Sequence, residues 1–528
     1  MNQVSAAVQY TATAAPALDA IIAIWREVLE CTPGQIEANS NLFLSGGDSL
    51  ALARVLIRVR ERLGVQLDLR MPASFSTPAK MAGCVVAAAS LQSLRVATDA
   101  GLFIATGAER FPASEGQAAL WYAEQMAPGS GLYNTAVILR LSGELHIAVL
   151  TMALNALLHR HEMLRARLTP GTRAQRLDVV IAPEQQVCLD PEPFLCADPR
   201  EHFRELAAEP FDLAAGPLWR FRLVTTGKRA WALLLCLHHC ISDGWSGPIL
   251  LRSLADSYNA LLRDPQWTAP APEREFRYYC LEQQANVGSE LAWWQRQLAG
   301  PGPSSAWPCT GVLRWPFAMT DEEVLLPQAS IARAQQATAS SGVQLSAFLM
   351  TALRFALRSL TGIAEFCLGL PVTTRSSSAQ ELGVGYFVNL VMLRARIDPA
   401  TAYLALLHQV QQGLDEALLH RHLPFPTLVR TLAPAVLPSG NLWCDILFAF
   451  QNSPLVTPSF SGMRAELETL TLPYAQYPFK VEILRSAAGW TCRCEYAAEV
   501  FAQGEVPRLL ALFNYYIAQL AGALQVEQ

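Results

Sequence analysis

Two joined bodies are predicted, a small all-α bundle followed by a larger α/β body, and three observations carry this. At 528 residues the chain exceeds what one hydrophobic core usually organises, and 52% hydrophobic with 16% charged residues supplies apolar surface for more than one. Apolar side chains follow Ser49 at helical spacing. By contrast, Trp231 to Leu237 is an unbroken apolar run of strand length, followed by a second helical pattern from Leu250 to Leu261.

Residues 1–17 read as a tail and residues 18–92 as the bundle. Trp25 and Leu29 belong to its first helix. Ser49 stands at an N-cap, and Leu52, Val55, Leu56, Val59 and Leu63 then line one face as far as Gly64, a C-terminal stop. Pro78 opens a later helix running to about Ala88, for a bundle of about four helices. The glycines of Gly46-Gly47-Asp48-Ser49 leave the serine hydroxyl open to a bulky partner, although such a stretch by itself is also an ordinary loop and cap. Arg54, Arg58 and Arg62 repeat every four residues, which makes a solvated face by default and otherwise a docking surface for an acidic partner. Residues 93–107 lack strong periodicity and read as a linker.

In the larger body, 108–525, the apolar run is best read as a strand buried on both faces, ending in Leu237-His238-His239-Cys240-Ile241-Ser242-Asp243-Gly244. Chance expectation for His-His-x-x-x-Asp-Gly in a chain with 9 His and 31 Gly is on the order of 4 × 10⁻⁴. Side chains alternate along extended backbone, so only one histidine faces a given cavity while the other packs. Gly244 permits a tight turn, and Ser246 with Pro248 starts a helix whose Leu250, Leu251, Leu254, Tyr258 and Leu261 follow the helical period. A helix start beside a histidine offers amides to a developing oxyanion, which points to acyl transfer. The bland alternative is a pair of core histidines with Asp243 capping the helix. Zinc is disfavoured, because adjacent histidines on a strand diverge and no second cluster has ligand spacing.

Net charge is −5, without a basic block suited to nucleic acid, and residues 1–100 carry eight acidic and eight basic side chains. No apolar run reaches the ~18 residues of a membrane span, and the first 25 residues lack the Lys or Arg of a signal peptide. Twelve scattered cysteines, only Cys492 and Cys494 close together, read as reduced thiols. The expectation is a soluble, cytoplasmic enzyme.

At its histidine motif the chain resembles the condensation domain of nonribosomal peptide synthetases, in the chloramphenicol acetyltransferase-like superfamily. Further segments match in the family's order: Ser114-Glu-Gly-Gln-Ala-Ala-Leu-Trp121 (with Gly116 for the usual alanine), Arg160-His-Glu-Met-Leu-Arg165, Val384-Gly-Tyr-Phe-Val-Asn389, His422-Leu-Pro-Phe425 (histidine for aspartate) and Phe448-Ala-Phe-Gln-Asn452. Leu42 to Leu50 resembles the peptidyl carrier protein signature.

The resemblance implies a two-lobed domain with a central tunnel, lobes at about 108–275 and 276–525, interrupted by the Pro/Ser/Gly-rich stretch 300–307. It implies 4′-phosphopantetheine, donated from coenzyme A, on Ser49, and His239 as the catalytic histidine, acting as base or as a hold on the acceptor amine. Gly244 would lend an amide to the oxyanion, Asp243 would be structural with Arg375 as its partner, and His238 would pack. Implied partners are a phosphopantetheinyl transferase, an adenylation domain or upstream synthetase, and an acceptor carrier protein or soluble nucleophile. The expected reaction is amide formation, with ester formation or chain release as variants. An epimerisation domain, which shares the motif and often follows a carrier with Asp before its serine, is the nearest rival. A non-catalytic carrier-docking platform is the rival of another class.

Overall fold

The computed structural model describes residues 4–42, 45, 49–65, 67, 77–92, 110–171, 177–184, 186–193, 198–283, 288–299, 316–341, 343–398, 401–432, 444–451, 457–486 and 489–526. The helices Val4–Val28, Ser49–Leu63 and Pro78–Gln92 form the N-terminal bundle. Trp25, Leu52, Val55, Val59 and Met81 are buried together in its core, as apolar positions at helical spacing require. Gly64 ends the second helix in the left-handed region, φ +67°, and its amide donates to Arg60 O. Residues 4–17, expected as a tail, instead begin the first helix, because a run without breakers except Pro16 simply extends it. Ser49 is the helix's first residue rather than its cap, and Gly46, Gly47 and Asp48 lie outside the described residues.

Beyond the bundle the described strands form sheets of three, five and seven strands. The five-stranded sheet runs in the order Met463–Thr469, Asn134–Gly143, Ala230–His238, Trp219–Gly227 and Glu192–Pro193. Its central strand is the predicted apolar run, buried on both faces. The seven-stranded sheet is built wholly from residues after 316 and shares one buried core with the helices Leu345–Thr361 and Glu505–Val526.

A single cut between 275 and 276 does not separate the lobes. Strand Met463–Thr469 pairs with Asn134–Gly143 in the first sheet, placing Leu467 opposite Leu139. Phe276, Tyr279, Val384, Phe387 and Phe460 also belong to the N-terminal core. The chain thus crosses between the bodies more than once, which places late segments against the histidine motif. No helix among the described residues is long and apolar enough to cross a membrane.

Candidate active site

Strand Ala230–His238 gives way to a single tight turn, His239–Ile241, and the two histidines part there. His238 turns into the core, 1% exposed. Its Nδ1 accepts from the Cys240 amide at 3.1 Å, so the ring proton sits on Nε2, 3.3 Å from Oε1 of the buried Glu124. Burial holds this imidazole below its ordinary titration range, against the pull of Glu124, and keeps it neutral.

His239 faces the other way and is half-buried. Its Nδ1 lies 2.6 Å from Ser242 O, an oxygen that can only accept. Nδ1 therefore carries a proton, and in the neutral tautomer the lone pair is on Nε2. Tyr386 packs edge-on against the ring, centroids 5.1 Å apart at 87°. Gly116 makes room for that phenol, since a Cβ there would lie 2.7 Å from Tyr386 Cε1.

Asp243 is enclosed by donors. Arg375 grips both its oxygens, Nη1 to Oδ2 at 2.6 Å and Nη2 to Oδ1 at 3.1 Å. Oδ1 also accepts from the Ser246 amide and hydroxyl at 2.9 and 2.8 Å, and Oδ2 from the Phe387 amide at 3.1 Å. Burial pushes this carboxyl up, but the Arg375 charge and these hydrogen bonds together bring it below the usual carboxylate range. Asp243, two residues before the Trp245 N-cap, thus takes the first amide of the helix Ser246–Arg263 and pins the Val384–Asn389 segment, which carries Tyr386 to His239.

The oxyanion donors expected at the helix start are fewer than the sequence implies. Ser246 N–H is spent on Asp243, and Asp243 N–H donates to Ser246 Oγ at 3.2 Å. Gly244 N–H, at an exposed residue, has no partner among the described residues. Nor does a strained turn demand this glycine: its φ is outside the left-handed region, and a Cβ would come no closer than 3.9 Å, to Gln451 Nε2. What the missing side chain leaves open is space beside Gln451.

The other motifs converge here. Gln117 Nε2 donates to Cys240 O at 2.8 Å. Glu162 pairs with Arg277, whose Nε and Nη2 reach its two oxygens at 3.1 and 2.7 Å. His161 meets Ser253 Oγ at 3.1 Å and Glu273 at 3.4 Å, and Glu273 in turn accepts from Val384 N at 3.2 Å. Asn389 donates to Arg421 O and Leu423 O and accepts from Phe425 N, locking the His422–Phe425 segment. His422 itself is pushed down to about 3 by burial and by Arg421 beside it. Asn452 lies outside the described residues.

Models of two families match. The condensation domain matches residues 108–527 and the phosphopantetheine attachment site residues 19–85. The chain belongs to the condensation-domain family. Condensation domains catalyse amide-bond formation, an acyl transfer, and the attachment-site domain carries covalent 4′-phosphopantetheine. Such a carrier requires a phosphopantetheinyl transferase and further synthetase domains.

One of the linear gramicidin synthase proteins of Brevibacillus parabrevis is 27% identical across 98% of this chain and 10% of its own length. A dimodular nonribosomal peptide synthase of Bacillus subtilis is 29% identical across 91% of this chain and 21% of its own. The chain therefore spans a tenth to a fifth of these relatives. The X-domain from teicoplanin biosynthesis superposes with TM-score 0.71 at 21% identity, covering 79% of this chain and 96% of that one. The first condensation domain of the calcium-dependent antibiotic synthetase does so with TM-score 0.65 at 19%, covering 78% and 96%. Both show the condensation fold, with its mixed α/β architecture.

Reading the condensation domain from sequence missed Glu124, Tyr386 and Glu381. Glu124 and Tyr386 sit inside the quoted family segments or a few residues beyond them, yet nothing local marks them out. Each matters through a partner far along the chain.

Proposed function

We propose that the chain holds an acyl or peptidyl group on Ser49 and transfers it to an acceptor amine at His239, forming an amide. The observation that carries this is the His239 ring, half-open with Nδ1 committed to Ser242 O and Nε2 left as acceptor. Ser49 suits 4′-phosphopantetheine: it opens the helix Ser49–Leu63, whose first turn holds no acidic side chain, so the positive end of the helix favours a phosphodiester. When attached, the group supplies a thiol that presents the acyl chain as a thioester.

His239 Nε2 takes the proton of the attacking amine or holds that amine by a hydrogen bond, and proton transfer of this kind typically contributes ~10²–10⁴ in rate. Gly244 N–H is the candidate donor to the carbonyl oxygen as its charge grows. Asp243 and Arg375 do no chemistry; they hold the turn and Tyr386. The tunnel between the lobes carries donor and acceptor to His239 from opposite sides. An adenylation domain or upstream synthetase loads the donor, an acceptor carrier or a soluble nucleophile receives it, and the setting is cytoplasmic.

Intact-protein mass spectrometry tests the proposal. After coenzyme A, a phosphopantetheinyl transferase and an acyl donor, the protein gains mass at Ser49 and Ser49→Ala does not. Adding the amine then releases or moves the acyl group with the mass of an amide product. An acyl group of unchanged mass and inverted stereochemistry would instead mean epimerisation and overturn the amide reading.

A further inference from the structure

The arginine stripe of the carrier helix is divided between two carboxylates, and one of them lies in the condensation domain. Arg62 pairs with Glu27 of the carrier's own first helix at 2.5 Å. Arg58 bridges, with Nε on Glu27 at 3.1 Å and Nη2 on Glu381 Oε2 at 2.8 Å. Arg54 Nε stands 3.6 Å from the same Glu381 oxygen. Three residues on, Glu61 accepts from both the amide and the hydroxyl of Ser378, at 2.8 and 2.9 Å. Residues 54, 58 and 61 share one helix face, and together they grip both ends of the single helical turn Ser378–Glu381.

That turn is also part of the active-site scaffold. Arg375, the partner of Asp243, donates to Gln380 O at 2.9 Å and Gly383 O at 3.0 Å. Trp245, next to Gly244, donates its indole N–H to Glu381 O at 3.0 Å. The residue that meets the carrier with its side chain therefore meets the histidine motif's loop with its backbone.

We propose that Arg54, Arg58 and Glu61 are the pattern by which this condensation domain selects its own carrier, with Glu381 as the selecting residue. The inference rests on the reading of Ser49 and His239 above. Glu381 is 4% exposed with the carrier in place, and its Oε1 has no hydrogen-bond partner. A carrier lacking the arginine would bury this carboxylate uncompensated, and one bearing an acid would add repulsion, so discrimination comes chiefly from rejecting the wrong partner. The contact remains one that can open, since only one carboxylate oxygen is engaged and Arg58 keeps Glu27 when it leaves.

The test is a charge swap in the full chain, with single-turnover transfer from loaded Ser49 to an amine. Arg58→Glu and Glu381→Arg are each expected to slow transfer about tenfold or more, and the double variant to recover most of that loss. An N-acetylcysteamine thioester of the same acyl group, which needs no carrier, is expected to react equally in the unaltered protein and in Arg58→Glu, and its rate in the two Glu381→Arg proteins is the reference against which their carrier-dependent rates are read. Singles that transfer at the wild-type rate, or a double no better than the worse single while the small thioester reacts normally, overturn the selection proposal. Failure of the small thioester in the unaltered protein would instead count against the role of His239.

Discussion

Two arginine–carboxylate pairs with a buried acid, Asp243 with Arg375 and Glu381 with the half-buried Arg58, behave in opposite ways. Asp243 receives five hydrogen bonds shared over both oxygens, and its carboxyl is held below the ordinary range. Glu381 receives one on Oε2 and none on Oε1, and burial, outweighing Arg58 and Arg54, pushes its carboxyl up. Burial raises both; the number of donors decides the sign. The saturated pair fastens the fold, and the half-satisfied one marks a surface that opens.

The sharpest way to break this contrast is Asp243→Ala. It strands the Arg375 guanidinium, 0% exposed at its side chain, and should cost roughly 3–5 kcal/mol of condensation-domain stability, together with activity. A normally stable but inactive variant in urea unfolding would assign Asp243 to chemistry instead. Arg58→Ala should change the same unfolding midpoint little, by about 0–1 kcal/mol, because Glu381 can rehydrate as the carrier moves off.

His239→Ala extends the contrast between fastening and function. It should slow transfer by ~10²–10⁴ with an unchanged urea midpoint. His238→Ala, which removes the ring held by Cys240 N and Glu124, should lower the midpoint before it lowers the rate. Equal rates for His239→Ala and wild type would end its assignment. Gly116→Ala should cost about 1–3 kcal/mol or push Tyr386 off His239, and Tyr386→Leu in the same chain should relieve it. Additive effects of the two substitutions on kcat would show that the ring does not depend on that space.

The smallest effects are in pH. His238 is depressed in the fold, so the folded protein binds fewer protons than the unfolded chain. Its contribution is complete above about 6.5 and is lost as pH falls below that, at no more than ~1.4 kcal/mol per unit. The depressed Asp243 gives the same sign lower down, complete above about 3.9 and lost in stronger acid. Glu381 has the opposite sign: its raised carboxyl favours the docked state at low pH, and that contribution is lost as pH rises through the raised value. Urea midpoints at pH 7.5, 5.5 and 3.5 should show the first loss disappear in a His238→Gln variant.

Sequence by itself determined the helical period of Ser49–Leu63, the buried strand that ends at His238, the divergence of two adjacent histidines and the helix after Ser246. These depend on neighbours a few residues away, where periodicity and turn chemistry act. It also contained the Asp243–Arg375 pairing, but only through family resemblance, since the two are 132 positions apart. Local reasoning drew the lobe boundary as a single cut, because that boundary depends on which late segments, such as Met463–Thr469 and the one carrying Phe387, the fold brings alongside the first sheet and its core. Which histidine faces outward came likewise only through the resemblance, and tertiary structure alone decided which tyrosine stands against it and that Arg58 meets a carboxylate 323 residues later. The reason is physical: whether a buried polar group is anchored, free or merely tolerated is set by how many donors surround it in space, and distant segments supply those donors.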